Sequence, residues 1–263
     1  MENNDKEFLA IPAGRQQQIL EYISKNGSAQ IKELAVLFNV SEATIRRDLD
    51  EMDASGHIKR THGGALNGQH STSYERMHSE KMKIMLNAKR NIAIQAASLV
   101  NDGETILLDS GTTAYFVGQN LADFKDLTVI TYDLYIANSL VLHPTSTLAV
   151  TGGIRRSGYN VLVGGDTEDY IRRTSVDKVF LGADAIDISF GVSNANLMEV
   201  SIKRLMLKAG KKVILVADHT KLGRTALAKV CDLDEPDLMV IDRDIPEDML
   251  EQLKAVGTDL LLA

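Results

Sequence analysis

The stretch Asn39-Val40-Ser41-Glu42-Ala43-Thr44-Ile45-Arg46-Arg47-Asp48-Leu49-Asp50-Glu51-Met52 constrains this chain more than any other. Ile45, Asp48, Leu49 and Met52 follow the i, i+3, i+4, i+7 spacing of one helix face, and three of the four are apolar. Ser41 stands where an N-cap belongs, with a hydroxyl able to accept a first-turn amide. At about 100° per residue, Arg46 and Arg47 project away from the apolar face, with Thr44 to one side. Such a helix suits two roles. One is an ordinary amphipathic helix with solvated arginines. The other is a recognition helix in a DNA major groove, where a guanidinium forks onto guanine or clamps a phosphate.

The flanking sequence favours the second role. Gln16 to Ile23 has helical spacing, with Ile19 and Ile23 one turn apart, and stops at Asn26-Gly27. A second helix over 31–38 puts Ile31, Leu34, Ala35 and Phe38 on one side, and Asn39-Val40 turns into the third. Two helices, a tight turn and a third helix make a trihelical core. After the stop at Ala54-Ser55-Gly56, His57 to Ala65 reads as a short strand with a glycine-rich tip. Gly63-Gly64 taken alone is a plain turn, but after an arginine-bearing helix it reads as the wing of a winged helix-turn-helix, with Lys59 and Arg60 along phosphates and His62 close by. The candidate DNA-binding residues are Ser41, Thr44, Arg46, Arg47, Lys59, Arg60 and His62. A formal net charge of −7 argues against nucleic acid over the whole surface. Between Arg15 and Ala65 the basic residues merely balance the acids, so DNA binding must rest on a few local contacts and depend on salt.

With 263 residues the chain has room for one small and one large domain. The expected divisions are a disordered tail over 1–12, the winged domain over 13–66, a polar linker over 67–79 with its boundary near residue 75, and a second domain over 80–263. From Lys81 onward, short apolar runs alternate with helical stretches. The runs are Thr105 to Asp109, Thr128 to Thr131, Thr147 to Val150, Lys178 to Ala183, Lys212 to Ala217 and Asp237 to Ile241. This pattern predicts an α/β domain with a mainly parallel sheet, whose ligands gather at the carboxyl ends of strands.

Asp109-Ser110-Gly111-Thr112-Thr113 leads from a strand through glycine into a helix, where free amides, hydroxyls and the helix dipole suit a phosphate. A capped turn between strand and helix is the simpler alternative. Further strand-end clusters are Thr131-Tyr132-Asp133, Thr151-Gly152-Gly153, Gly182-Ala183-Asp184 and Asp218-His219-Thr220-Lys221. Their recurrence at strand ends points to a shared pocket. Walker-type and dinucleotide-binding glycine motifs do not occur, and the six histidines lack metal-ligand spacing, so neither cofactor nor metal is expected. Cys231, the only cysteine, reads as a small buried residue. With no possible intrachain disulfide, no secretion signal and no apolar run of the roughly 18 residues a bilayer span requires, a cytoplasmic protein is expected.

Val40-Ser41, Thr44-Ile45-Arg46-Arg47-Asp48-Leu49, Gly56, Arg60 and His62-Gly63-Gly64-Ala65 closely resemble the amino-terminal signature of DeoR-type bacterial transcription regulators. Leu108-Asp109-Ser110-Gly111-Thr112-Thr113, Gly152-Gly153, Gly182-Ala183-Asp184 and Asp218 to Gly223 resemble the sensor domain of the same family, so the likeness covers nearly the whole chain after the tail. That sensor is similar in fold to ribose-5-phosphate isomerase and glucosamine-6-phosphate deaminase, which implies a phosphorylated sugar as effector. By that resemblance Ser110, Gly111, Thr112 and Thr113 hold the phosphate, and Asp184, Lys203 and Lys221 face the sugar or its phosphate; Asp109, Thr131, Asp133, Gly152 and Gly153 complete the candidate site. Leu181 and Ala185 stand where the isomerases carry acids, their lysine- and glycine-rich catalytic loop is not visible between Phe190 and Leu197, and Tyr132 replaces an asparagine common in these regulators. The resemblance implies a repressor of carbohydrate-metabolism genes, acting on a double-stranded operator as a homodimer or homotetramer. A sugar-phosphate isomerase or deaminase with a DNA-binding appendage is the competing class, with Glu199 as base and Lys203 as its electrostatic partner.

Overall fold

In the computed structural model, which describes residues 12–54, 58–67, 72–73 and 75–263, the chain divides between Arg76 and Met77 into two units. The first holds α1 (Pro12–Asn26), β1 (Ser28–Gln30), α2 (Ile31–Leu37), α3 (Glu42–Ala54), β2 (Ile58–Arg60) and β3 (Gly64–Asn67). Ile19, Ile23, Ile31, Leu34, Phe38, Ile45, Leu49 and Met52, the positions that helical spacing singles out, form its core with Ala29, Ile58 and Ala65. Asn39 makes the turn between α2 and α3 at φ 51°, a left-handed setting that asparagine tolerates better than most residues. Helix α1 opens at Pro12 and not at Arg15, so position 12 leaves the expected tail; residues 1–11 lie outside the described residues.

The wing is larger than a hairpin. Strands β2 and β3 pair antiparallel, and β1 adds to the other side of β3, with Ala29 opposite Ala65 and Gln30 opposite Gly64. Gly64 is required there, because a Cβ on it would lie 2.0 Å from the Ala29 carbonyl oxygen. Asp48, the polar member of the inward stripe of α3, is buried against Arg15, which donates Nε to Oδ2 at 2.6 Å and Nη2 to Oδ1 at 3.0 Å. Of the stretch expected to be linker, Asn67 ends β3 while His78 and Ser79 belong to a helix; residues 68–71 and 74 lie outside the described residues.

The second unit begins with α4 (His78–Lys81) and α5 (Leu86–Ala97). Its strands are β4 (Thr105–Leu108), β5 (Thr128–Thr131), β6 (Thr147–Val150), β9 (Val176–Gly182), β12 (Gly210–Val216), β14 (Leu238–Ile241) and β15 (Leu260–Leu262), in the spatial order β15-β14-β12-β9-β4-β5-β6. Every pairing is parallel. Successive residues alternate between two cores: Leu107, Ile130, Val179, Leu181 and Leu215 on one face, Ile106, Leu108, Val129, Phe180 and Ile214 on the other. Burial on both faces is why these runs are apolar throughout. Helix α5 and α6 (Thr112–Gln119) supply the second core, while α8 (Gly165–Arg172), α9 (Leu197–Ala209) and α10 (Glu247–Ala255) supply the first. A short helix α7 (Leu134–Ser139) follows β5.

The chain runs from β4 out to β6, then returns to lay β9 beside β4 before winding the other way. This reversal sets the carboxyl ends of β4 and β9 side by side, where an open α/β sheet forms its ligand crevice. Two additions escape the apolar pattern: the hairpin β7 (Ile154–Arg155) with β8 (Leu162–Val163), and an antiparallel sheet of β10 (Ala185–Asp187), β11 (Gly191–Asn194) and β13 (Ala228–Cys231). Among the described residues no helix is long and apolar enough to cross a membrane.

The Arg15–Asp48 pair yields a stability prediction. Asp48→Ala leaves a buried guanidinium without its partner and should cost about 3–5 kcal/mol, whereas a joint change to apolar residues of similar volume should recover most of that loss. Urea unfolding of Asp48→Ala beside the double variant Arg15→Met, Asp48→Leu checks both halves.

Candidate DNA-reading face and effector cleft

On α3 the expected N-cap is in place: Ser41 Oγ accepts the Thr44 amide at 3.1 Å and lies 2.9 Å from Thr44 Oγ1. Arg46 and Arg47 are exposed on the side away from Ile45, Leu49 and Met52. Arg46 pairs with Glu42 at 3.0 Å, both side chains about half exposed, an interaction worth roughly 0.3–0.5 kcal/mol and easily exchanged for a phosphate or base. Arg60 is held differently. Its amide donates to Asp53 Oδ1 at 2.9 Å and its Nε lies 2.9 Å from Asp50 Oδ1, so it ties the wing to α3. His62 is exposed at the wing tip. Lys59 lies in β2 opposite Leu66, and its side chain falls outside the described residues.

In the second unit the crevice is built on Asp109. Fully buried at the end of β4, its carboxylate accepts the Ser110 amide at 2.8 Å, the Gly182 amide at 2.6 Å, the Tyr132 hydroxyl and the Lys203 ammonium. Lys203 also donates to the Gly182 carbonyl at 3.1 Å. Burial works against its charge, but Asp109 and then Glu199 outweigh it and hold its pKa above the usual lysine value. Burial, then Asp109 and Glu199, push the Tyr132 hydroxyl well above the usual range, so it remains a proton donor to Asp109. Asp109 and Lys203 therefore face each other and knit β4, β5, β9 and α9 together; neither carries unspent charge into the crevice.

Asp133 is the second junction. Its Oδ1 accepts the Tyr135 and Ile136 amides at 2.8 and 3.1 Å and caps α7. Its Oδ2 accepts Ser110 Oγ at 2.8 Å and the Gly111 amide at 3.4 Å. Thr131 Oγ1 in turn accepts the Asp133 amide at 3.1 Å. Gly111, at φ 118°, is the N-cap of α6 and has no side chain to close the first turn. Thr112 is buried and Thr113 half-buried beside it.

Beyond β9, Asp184 Oδ2 accepts the Ala195 amide at 3.1 Å and Oδ1 receives the Lys81 ammonium at 3.0 Å. Burial disfavours this carboxylate, but Lys81, Lys221, the Ala195 amide and Lys203 outweigh it and hold its pKa well below the ordinary 3.8. The structure thus gathers the ends of β4, β5 and β9, with Asp109 to Thr113, Thr131, Asp133, Asp184, Lys203 and Lys221, into one neighbourhood. Gly153 is closely packed, since a Cβ on it would meet Thr167 Oγ1 at 2.2 Å, whereas a Cβ on Gly152 would meet nothing within 4 Å; the Thr167 hydroxyl donates to the Gly152 carbonyl at 2.7 Å.

Sequence reasoning missed Lys81 and His78, which reach this neighbourhood from α4. It also missed Arg156, which pairs with Glu199 at 2.5 Å. Their partners are remote in sequence, and no local signal announces them. Leu181 and Ala185 are apolar core positions. One grouping with metal-ligand chemistry occurs among the described residues, His219 with Asp242 and Asp244; within it Asp242 accepts both the His219 amide, at 2.8 Å, and Nδ1, at 2.6 Å.

The lowered pKa of Asp184 sets a pH dependence. A carboxyl that binds its proton more weakly folded than unfolded stabilises the fold above its unfolded pKa, and that stability is lost as pH falls below it. Asp177, bonded by Lys211, and Asp187, bonded by Ser189, shift the same way, so they keep part of the acid limb. Asp184→Asn should remove one proton's share of the slope below about pH 4, up to about 1.4 kcal/mol per pH unit, as read from urea midpoints between pH 3 and 5.

Comparison with known proteins agrees with both units. Residues 15–69 match the DeoR-like helix-turn-helix domain, and residues 84–243 match the DeoR C terminal sensor domain. The chain is 33% identical over 249 residues, 94% of its length and 93% of the relative's, to an Escherichia coli O157:H7 protein named for repression of the aga operon. It is 32% identical over 251 residues to the HTH-type transcriptional regulator GlpR of Haloferax volcanii, covering 95% of this chain and 98% of that one. Among solved structures, ribose 5-phosphate isomerase from Plasmodium falciparum overlaps 54% of each chain with a TM-score of 0.37 and 18% identity. With an arginine-bearing recognition helix, a wing and a sensor unit each matched in place, the chain belongs to the DeoR family of DNA-binding transcription regulators.

Proposed function

We propose that this regulator binds a double-stranded operator as a homodimer or homotetramer, represses carbohydrate-metabolism genes, and is released by a phosphorylated sugar seated at Ser110 to Thr113. The observation that carries the effector reading is the uncapped, glycine-led start of α6 at the point where the sheet reverses its winding. Backbone amides and a positive dipole end face the crevice there, with the Ser110, Thr112 and Thr113 hydroxyls beside them. Asp184 and Lys221 supply an acceptor and a cation for the sugar end of such a ligand. Control is a coupling free energy: the effector favours a conformation whose operator affinity is lower.

Catalysis by the same crevice is disfavoured. Glu199, the base an isomerase reading requires, is buried and paired with Arg156, and Lys203 is spent on Asp109. Both groups serve the fold.

Arg47→Ala should weaken specific operator binding by about 1–3 kcal/mol if this guanidinium forks onto a guanine, while Arg46→Ala should reduce the salt dependence by about one released counterion. Operator titrations at several salt concentrations measure both; wild-type behaviour of both variants would remove α3 as the reading face. A panel of sugar phosphates read by thermal unfolding tests the sensor. A cognate ligand at a hundred times its Kd stabilises by about 2.7 kcal/mol, and a panel without any shift would rule the effector class out.

A further inference from the structure

Helix α4 is the first element of the second unit and is separated from Arg76 only by Met77. It is one turn long, and its two inward contacts lie three residues apart. The His78 ring rests 4.3 Å from that of Tyr135, which follows β5. The Lys81 ammonium bonds Asp184, which follows β9. Strands β5 and β9 are the two neighbours of β4 in the sheet. A helix touching both α7, which follows β5, and the segment after β9 lies at the same end of the sheet as the Ser110 to Thr113 segment that follows β4.

The two ends of α4 are held unequally. At its carboxyl end the buried Lys89 ammonium donates to the Lys81 and Ile84 carbonyls at 2.5 and 2.8 Å. Met85, at φ 53° and ψ 38°, makes the junction to α5 in the left-handed region, which a side-chain-bearing residue holds only when its surroundings impose it. At the amino end, His78 Nε2 is buried without a hydrogen-bond partner among the described residues. Burial, only partly opposed by Asp133, keeps its pKa below the usual histidine value, so the ring sits there neutral. At the end leading to the DNA-binding unit, His78 is therefore held by its ring contact with Tyr135 and not through Nε2.

We propose that α4 is a strap over the effector turn and that Lys81 is an effector-binding residue, exchanging the Asp184 carboxylate for the phosphate of the bound ligand. The proposal rests on the sugar-phosphate reading. A phosphate monoester in the turn places its negative charge beneath Lys81, and sugar hydroxyls can donate to Asp184 in place of the departing ammonium. With its carboxyl end pinned by Lys89, a strap drawn toward the phosphate swings at its amino end, and that displacement passes along the chain into the unit that carries α3.

The test is hydrogen exchange by mass spectrometry on the full chain. The probes are ribose 5-phosphate, glucose 6-phosphate, fructose 1-phosphate and inorganic phosphate, with operator binding followed in parallel. In the wild type, a binding probe slows exchange over 110–115 and alters it over 77–82. In Lys81→Met, protection of 110–115 should require about tenfold more probe, the effect of losing one charge-assisted contact, and the responses of 77–82 and of operator affinity should disappear. Lys81→Arg, which keeps the cation, should restore all three. His78→Ala should speed exchange over 77–80 without any probe. Slowing at 110–115 with no change at 77–82 in the wild type, or a Lys81→Met protein that responds as the wild type does, would overturn the strap and leave the sugar-phosphate reading intact. No slowing at 110–115 with any probe would overturn both.

Discussion

The second unit depends on one buried carboxylate. Asp109 follows β4 and takes four donors, two of them backbone amides, from the residue after β5, from the last residue of β9, from α9 and from its own turn. Each donor belongs to a part of the chain that sequence distance does not relate to the others. An unpaired charge at zero exposure is prohibitively expensive, so the elements can close around Asp109 only in the arrangement that brings Lys203 and Tyr132 to it. The same bonds aim Ser110 toward Asp133 and fix Gly111 at the head of α6. The geometry of the turn is a consequence of this packing.

The first unit uses the same device more sparingly. Its core is apolar except for the Arg15–Asp48 pair, which joins α1 to the inner face of α3. With Arg15 used internally and Arg60 held by Asp50 and Asp53, the outer side of α3 still presents two adjacent exposed cations, Arg46 and Arg47. The balanced charge of this region is therefore compatible with DNA binding, because Asp48, Asp50 and Asp53 of α3 are occupied by Arg15 and Arg60 and leave Arg47 exposed.

Much of this was legible in the sequence wherever a period carries the information. Ile19, Ile23, Ile45, Leu49 and Met52 could be assigned to a core from spacing alone, and the strands of the main sheet from runs apolar on both faces. Strand β1 could not, since it is three residues long with only Ala29 turned inward, and it exists because β3 is there to pair with. The strands β10, β11 and β13 are similarly short and owe their order to contacts between distant segments. Within the cleft, the Asp109 to Thr113 turn announced itself as a strand followed by glycine and a helix start. Lys81 gave no such signal, because its meaning lies in an aspartate 103 positions away. Gly153 packs against the Thr167 side chain, which no local signal announces, while Gly152 beside it faces open space.

The charge bookkeeping of the cleft indicates what kind of ligand control it can exert. Lys203 is matched by Asp109, Lys81 and Lys221 share Asp184, and Asp133 is compensated by the start of α7. The two lysines on one carboxylate leave a small positive surplus at Asp184, so on the proposed reading a phosphate at the α6 amides and the hydroxyls around Gly111 is recognised chiefly by shape. Its charge then acts on whatever balanced pair lies within reach. Lys203 and Asp109 are sealed in the interior, but Lys81 and Asp184 are each nearly a fifth exposed and can re-partner. A ligand that binds by geometry and perturbs by charge does two separable jobs, and the second falls on the residue joined most directly, through Met77 and Arg76, to the DNA-binding unit.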